Sequence, residues 1–368
     1  MPANTLHLPL LLKKQGYTLG GFGKWGLGPM GSTGDPLKQG FDRWYGYNCQ
    51  AVAHNFYPTH LWDNDKQVTL NNPKFAANQK LPATADPKDP AAYTGFSGKD
   101  YAPDLIAEQA REFVRTNKDR PFFLYYPTTV PHLALQVPED SLHEYDGAFP
   151  DDPPVAAQGS YVACEKPRAT YAAMVTRMDR SVGRMLALLK ELKLDENTLV
   201  IFTSDNGGQL DAGANCGPLR GGKQNMYEGG IRVPMCAMGP GRIDPGSKSD
   251  TVALTMDLHA TVCDAGGLKP PSGVDGVPVL RGATVQDRDL FWVRREGGAP
   301  YWGRDYYAMR RGPWKLVQNT PFEPYELYNL DDDPRETRDL AKADTKRWRD
   351  MAEALSRHAQ DAGRTPWQ

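Results

Sequence analysis

Apolar positions along this chain fall into two rhythms. From Asp104 to Asn117, Leu105, Ile106, Phe113 and Val114 share one helical face, which predicts a helix. "PFFLYY" follows as a compact apolar run suited to a strand buried on both faces. The order recurs downstream with more force, where Tyr171, Met174, Val175, Met178, Val182, Met185, Leu186 and Leu189 return at helical spacing ahead of "TLVIFT". A helix feeding a buried strand, twice over, predicts an α/β domain with a largely parallel sheet flanked by helices.

The flanking segments read differently. "LPLLLKKQG" is a short helix closed by Gly16, and "YTLGGFGKW" a short extended run that breaks into a loop at Gly26, Gly28, Pro29, Gly31 and Gly34. "EDSLHEYDGAFPDDPPVAAQGSYVACEKP" is rich in proline, glycine and acid and reads as a long surface excursion. After about residue 285, "DLFWVRRE", "YYAMRRGPWKLVQ" and "PYELYNL" are aromatic-rich strand candidates, best paired antiparallel. A closing helix follows, with Trp348, Met351 and Leu355 on one face. The expected division is an α/β domain over 1–285 and a small α+β subdomain over 286–368.

Composition narrows the class. With 368 residues, 40% apolar and 24% charged, the chain can bury a large core. Its 43 basic and 45 acidic residues are interspersed, which excludes a nucleic-acid footprint and a polybasic membrane patch. Cys49, Cys164, Cys216, Cys236 and Cys263 form no C-x-x-C pair and leave an odd count, so a disulfide framework is not expected. "LHLPLLL" is too short to span a bilayer and lacks the flanks of a signal peptide, so no export address is read. No feature addresses the oligomeric state.

In open α/β sheets ligands sit beyond the carboxyl ends of the strands. Three such exits carry reactive side chains: Lys24 after "YTLGGF", His132 after "PFFLYYPTTVP", and Asp205 with Asn206 after "TLVIFTS", with Lys223 on the glycine-rich loop beyond. Adjacent Asp205 and Asn206 offer hard oxygens, which suit Ca²⁺ or Mg²⁺ rather than zinc, although Asp-Asn-Gly is also a common turn. Two lysines would hold an oxyanion and His132 could protonate a leaving oxygen, so together they describe an anionic ester site. "GFGKWG" spells a dinucleotide fingerprint, but "LGPMGSTGDP" follows where a helix would have to open.

These stretches resemble the sulfatase family, in family order and across nearly the whole chain. "GYTLGGFGKWGLG" resembles its G-K-W segment, "YYPTTVPHLALQVP" its P-H-x-P region, and "FTSDNGG" its metal-binding strand end. "LRGGKQNMYEGGIRVP" and "ELYNLDDDPRETRDLA" resemble two later segments. The resemblance implies an alkaline-phosphatase-like fold and hydrolysis of a small-molecule or glycan sulfate ester. It implies that Asp205 and Asn206 bind Ca²⁺, that Lys24 and Lys223 hold sulfate oxygens, and that His132 protonates the leaving group. Relatives commonly act outside the cytoplasm, so the parent protein is expected to be periplasmic or secreted.

Two departures shape the expectation. Gly26 stands where many relatives have histidine, and neither the family's paired aspartates nor its C/S-x-P-x-R formylglycine elbow precedes the G-K-W segment. The chain therefore resembles a sulfatase lacking its N-terminal portion, with an unpaired strand edge, poor Ca²⁺ affinity and little or no turnover expected. Cys216, Pro218 and Arg220 reproduce C-x-P-x-R, but they lie after the Asp-Asn-Gly turn and ahead of Gly221 and Gly222, where no helix would propagate. "CEKPR", from Cys164, has its proline one place late. A phosphoester or phosphonate hydrolase of the same superfamily, and a non-catalytic module for sulfated glycans, are the alternatives. His54, Tyr57, His60 and Trp62 are expected on a loop lining the substrate pocket.

Overall fold

The computed structural model describes residues 7–76, 78–157, 161–271, 276–280, 288–295 and 305–362. Two compact units emerge, the first comprising Met1–Leu199, Gly239–Gly246 and Met256–Leu280, the second Val200–Met238, Ser247–Thr255 and Arg281–Gln368. The boundary expected near residue 285 lies outside the described residues.

Up to Leu199 the elements are α1 (Leu8–Lys14), β1 (Thr18–Lys24), β2 (Arg43–Tyr47), β3 (His60–Asp63), β4 (Lys66–Thr69), α2 (Ala102–Thr116), β5 (Phe122–Tyr125), α3 (Glu139–Leu142) and α4 (Pro167–Glu191). The strands form one sheet in the order β4-β3-β2-β1-β5, with β1 parallel to both neighbours and β2, β3 and β4 joined antiparallel. Alternation sorts its side chains onto two covered faces. Leu19 and Trp44 turn toward Leu12 of α1 with Trp25 and Phe41, while Phe22, Tyr45 and Tyr47 turn toward Ile106, Ala110 and Phe113 of α2. Phe113 is held between Phe22 and Phe122, at centroid distances of 5.5 and 6.2 Å. Pro9 opens α1, where its missing N–H costs nothing, and Gly16 closes it at a φ of +83°.

The remaining elements are β6 (Val200–Thr203), α5 (Glu228–Ile231), β7 (Met235–Met238), α6 (Thr255–Ala265), β8 (Leu290–Arg295), β9 (Asp305–Arg311), β10 (Trp314–Gln318), β11 (Glu326–Asn329) and α7 (Thr345–Ala362). Strands β8 to β11 make an antiparallel meander, again with two faces. Met309, Leu316 and Leu327 pack on Met351 and Leu355 of α7. Ala308, Val317 and Tyr328 pack on Met226, Tyr227 and Ile231, the segment just beyond Lys223.

The fold class agrees with the sequence reading: a mixed sheet whose β2-β1-β5 side is parallel, with helices on its faces, then a small antiparallel sheet with a closing helix. One strand pairs otherwise than expected. β6 lies antiparallel to β7 in a two-stranded sheet, because the chain returns beside it through the glycine-rich loop rather than through a crossover helix. The excursion before α4 is also less superficial than its composition suggests. Val162, Ala163 and Cys164 are buried, and Arg177 of α4 ties it down with bonds to Asp104, Asp140 and Ser141.

Candidate functional site

Because β1, β2 and β5 run parallel, their carboxyl ends share one edge of the sheet. Lys24 ends β1, and its N–H donates to the carbonyl of Pro127 at 2.9 Å, just beyond β5. Gly23 makes that approach possible: at φ +142°, a Cβ there would stand 2.1 Å from the Pro127 oxygen. His132 follows in the same connection, its N–H donating to Thr129. Its Nδ1 faces the Leu133 carbonyl, which can only accept, an arrangement that suits the tautomer with hydrogen on Nδ1.

His54, in the turn after β2, lies flat on His132, with ring centroids 5.3 Å apart and planes 7° from parallel. Tyr161 leans on both rings, at 5.0 and 5.8 Å. Of the four aromatic positions expected on a pocket loop, His54 alone joins this group. His60 and Trp62 belong to β3, and Tyr57 is buried against Tyr101. Runs of alternating aromatic and polar residues suit a strand as well as a loop, which explains the difference. Tyr161 gave no sequence signal, since it comes from the excursion.

In the second unit, the chain leaves β6 through Ser204 into the Asp205–Asn206 turn, which Ser204 Oγ braces by donating to the Asn206 carbonyl at 2.9 Å. Asp205 is exposed and Asn206 half-buried. Gly207 N–H donates to Gly230 at 2.9 Å and Lys223 N–H to Gly208 at 2.9 Å, so Lys223 is fastened beside the turn that carries the hard-oxygen pair. The backbones of Asp205, Asn206 and Lys223 thus lie on neighbouring stretches of one loop system.

The residues test a hard cation only in part. The donor chemistry fits, because a carboxylate and an amide oxygen suit Ca²⁺. The number does not reach a complete shell: among the described residues no group of three or more His, Cys, Asp or Glu side chains is placed to hold a metal ion.

Cys216 opens no helix. A turn follows it, and its thiol donates to the Gly229 carbonyl at 3.2 Å. Arg220, the last residue of the lookalike, stacks on Tyr227 at 3.8 Å and donates to Tyr328 and to the Glu336 carbonyl, so this arginine is structural. Burial pushes the Cys164 thiol up to about 11 and raises Cys263 as well, whereas Cys49 and Cys236 are exposed. Iodoacetamide at pH 8 is therefore expected to alkylate Cys49 and Cys236 first and to spare Cys164, whose thiolate fraction is about one in a thousand, until the chain unfolds. Peptide mass mapping reads the order, and early modification of Cys164 contradicts its burial.

A family model described as Sulfatase matches residues 2–268, and one described as N-sulphoglucosamine sulphohydrolase, C-terminal, matches residues 222–362. The N-acetylgalactosamine-6-sulfatase of Rattus norvegicus is 34% identical over 305 residues, covering 79% of this chain and 51% of that protein. Arylsulfatase A of Homo sapiens is 30% identical over 379 residues, covering 92% and 68%. The crystal structure of Ps i-CgsB in complex with k-i-k-neocarrahexaose superposes with a TM-score of 0.76 at 26% identity, covering 98% of this chain and 75% of that one. The chain spans about half the length of the N-acetylgalactosamine-6-sulfatases it matches. The fold is that of the alkaline-phosphatase-like sulfatases, and with one model matching well over half its length this chain belongs to the sulfatase family.

Proposed function

We propose that this chain serves the hydrolysis of a sulfate monoester borne on a sugar, with Lys24 and Lys223 holding sulfate oxygens and His132 donating a proton to the leaving oxygen. The observation that carries the reading is the bond from Lys223 N–H to the Gly208 carbonyl, which holds the Lys223 backbone beside the turn that carries the Asp205–Asn206 pair. Transfer at sulfur builds negative charge on the non-bridging oxygens, where fixed ammonium groups stabilise most. A sugar substrate is supported by the flat His54–His132 stack with Tyr161 against it, a surface suited to the apolar face of a pyranose. It is also supported by the carrahexaose bound to a structural relative.

Asp205 and Asn206 are proposed to hold Ca²⁺, which when bound supplies positive charge beside the sulfate. Two protein oxygens fall well short of the six to eight that Ca²⁺ takes, so affinity in the millimolar range is expected, near the weak end for calcium sites at about 10⁻⁴–10⁻³ M. Cys216 is not assigned as nucleophile, because its thiol is bonded to backbone and no helix starts from it.

The test is calorimetric titration of the full chain with inorganic sulfate in the presence of Ca²⁺. Lys24→Ala and Lys223→Ala should each weaken binding at least about tenfold, the cost of roughly 1.4 kcal/mol per lost charge-assisted contact. Asp205→Ala should abolish the effect of Ca²⁺. Undiminished sulfate binding by the double lysine variant overturns the site, and brisk release of sulfate from an aryl sulfate, lost in Cys216→Ala, overturns the assignment of Cys216.

A further inference from the structure

Lys315 lies in the middle of β10 and its side chain is fully buried. Its ammonium sits 2.9 Å from Glu228 Oε1 and 2.8 Å from Glu336 Oε1, both carboxylates also buried. The second oxygen of Glu336 accepts the backbone N–H of Glu228 at 2.7 Å. A buried lysine shared by two buried glutamates is expensive to desolvate, so its geometry calls for a reason beyond packing.

That reason lies in what the glutamates hold. Glu228 begins α5, downstream of Lys223, and the Glu336 carbonyl accepts from Arg220 at 2.8 Å, upstream of Lys223. The same sheet grips the loop at two further points: Asn319 accepts the Met226 N–H at 2.6 Å and Glu326 accepts the Tyr227 hydroxyl at 2.6 Å. Within the loop, Gly229 N–H donates to Arg220 at 2.8 Å, and Gly230 accepts from Gly207, beside the Asp205–Asn206 turn. Lys223 is thereby suspended between residues fixed on both sides, at Arg220 by the Glu336 carbonyl and at Met226, Tyr227 and Glu228 by Asn319, Glu326 and Glu336.

We propose that Lys315, with Glu228 and Glu336, is a positioning device for Lys223: it sets the register of the 220–230 loop and so places the Lys223 ammonium for the sulfate oxygens. The inference rests on the reading of Lys223 as a sulfate-binding residue. Charge-free substitution at Glu336 is the incisive change. Glutamine keeps the shape, but its amide nitrogen must face either the Lys315 ammonium or the Glu228 N–H, two donors, so either the ion-pair contact with Lys315 or the bond from Glu228 N–H is lost.

In Glu336→Gln, the dissociation constant for inorganic sulfate, with Ca²⁺ present, should rise about tenfold while the urea transition of the chain stays cooperative. In a Lys223→Ala background the same substitution should change sulfate affinity by less than about twofold, because the group it positions is gone. Additive losses in that cycle, or an unchanged affinity in Glu336→Gln, overturn the proposal. Amide exchange gives a readout free of sulfate: the Lys223 N–H should exchange about tenfold faster in Glu336→Gln while β9 and β10 stay protected. If the unaltered chain binds no sulfate, the proposed function fails, and the Lys223 amide alone decides the positioning: unchanged exchange overturns it. Lys315→Met serves as the stronger variant, and Glu336→Gln carries the test should it not fold.

Discussion

Methionine at position 315 is expected to lower the stability of the chain by about 3–5 kcal/mol, the usual loss when one partner of a buried ion pair is removed. Among the described residues the ammonium is the one cation within salt-bridge distance of Glu228, and its single positive charge is shared by two buried carboxylates. Without it, Glu228 and Glu336 are left facing each other across a dry interior. An exposed pair such as Lys346 with Asp350 contributes ~0–1 kcal/mol, so the same truncation at Lys346 should be nearly silent. The sharper comparison is the triple variant Lys315→Met, Glu228→Gln, Glu336→Gln. Removing all three charges relieves the desolvation penalty as well as the attraction, so the triple should recover most of the loss, and urea unfolding followed by circular dichroism measures both. A single variant as stable as the parent would mean that the triad is not buried as described.

Glu336 adds a pH signature with a definite sign. Burial raises its carboxyl above the ordinary value against the opposing pull of Lys315. The folded chain therefore keeps this proton to higher pH than the unfolded chain does. Its contribution is fully present below the unfolded pKa of about 4.5 and is lost as pH rises through the raised value, so stability should fall across that window. Glu336→Gln should flatten the slope there.

The sequence showed the strand exits but not the device behind them. Lys24, His132 and Asp205 each follow a short apolar run bounded by glycine or proline, a local signal that survives in any context: Lys24 ends β1, Asp205 stands two residues past β6, and His132 lies in the connection beyond β5. The helices over Ala102–Thr116, Pro167–Glu191 and Thr345–Ala362 were equally legible, because long amphipathic repeats override their surroundings. What escaped was non-local. Lys315 sits in "WKLVQ" as an ordinary polar interruption of a strand, and its partners lie 87 residues upstream, at Glu228, and beyond β11, at Glu336. The antiparallel pairing of β6 is hidden for a related reason: its four residues fit a parallel or an antiparallel neighbour, and the path of the 205–234 loop decides. His54 is legible only as one of four aromatic positions on an expected pocket loop, and its stack on His132 depends on a connection almost eighty residues away.

Alanine at Gly229 is the second large expected effect, and it bears on the loop from the opposite side. A Cβ there would stand 2.2 Å from the Gly221 carbonyl oxygen and 2.5 Å from that of Arg220, both backbone atoms with no side-chain freedom to yield. Relief requires the Arg220–Lys223 stretch to move off the α5 turn, breaking the bond from Gly229 N–H to Arg220 and, through it, the seat of Lys223 against Gly208. The expected cost is about 3 kcal/mol, the upper end for overpacking, together with a loss of sulfate affinity matching that of Lys223→Ala. Gly217, in the same loop, supplies the control. It has a φ of +61° and open space where a Cβ would go, so alanine there incurs only the left-handed backbone penalty of ~1–2 kcal/mol and should leave sulfate binding intact. If steric closeness and not general loop strain fixes Lys223, the two variants will separate in sulfate titration far more than in urea midpoint. Equal effects in both assays would show that the loop adapts, and that the tight glycine contacts do not govern where Lys223 stands.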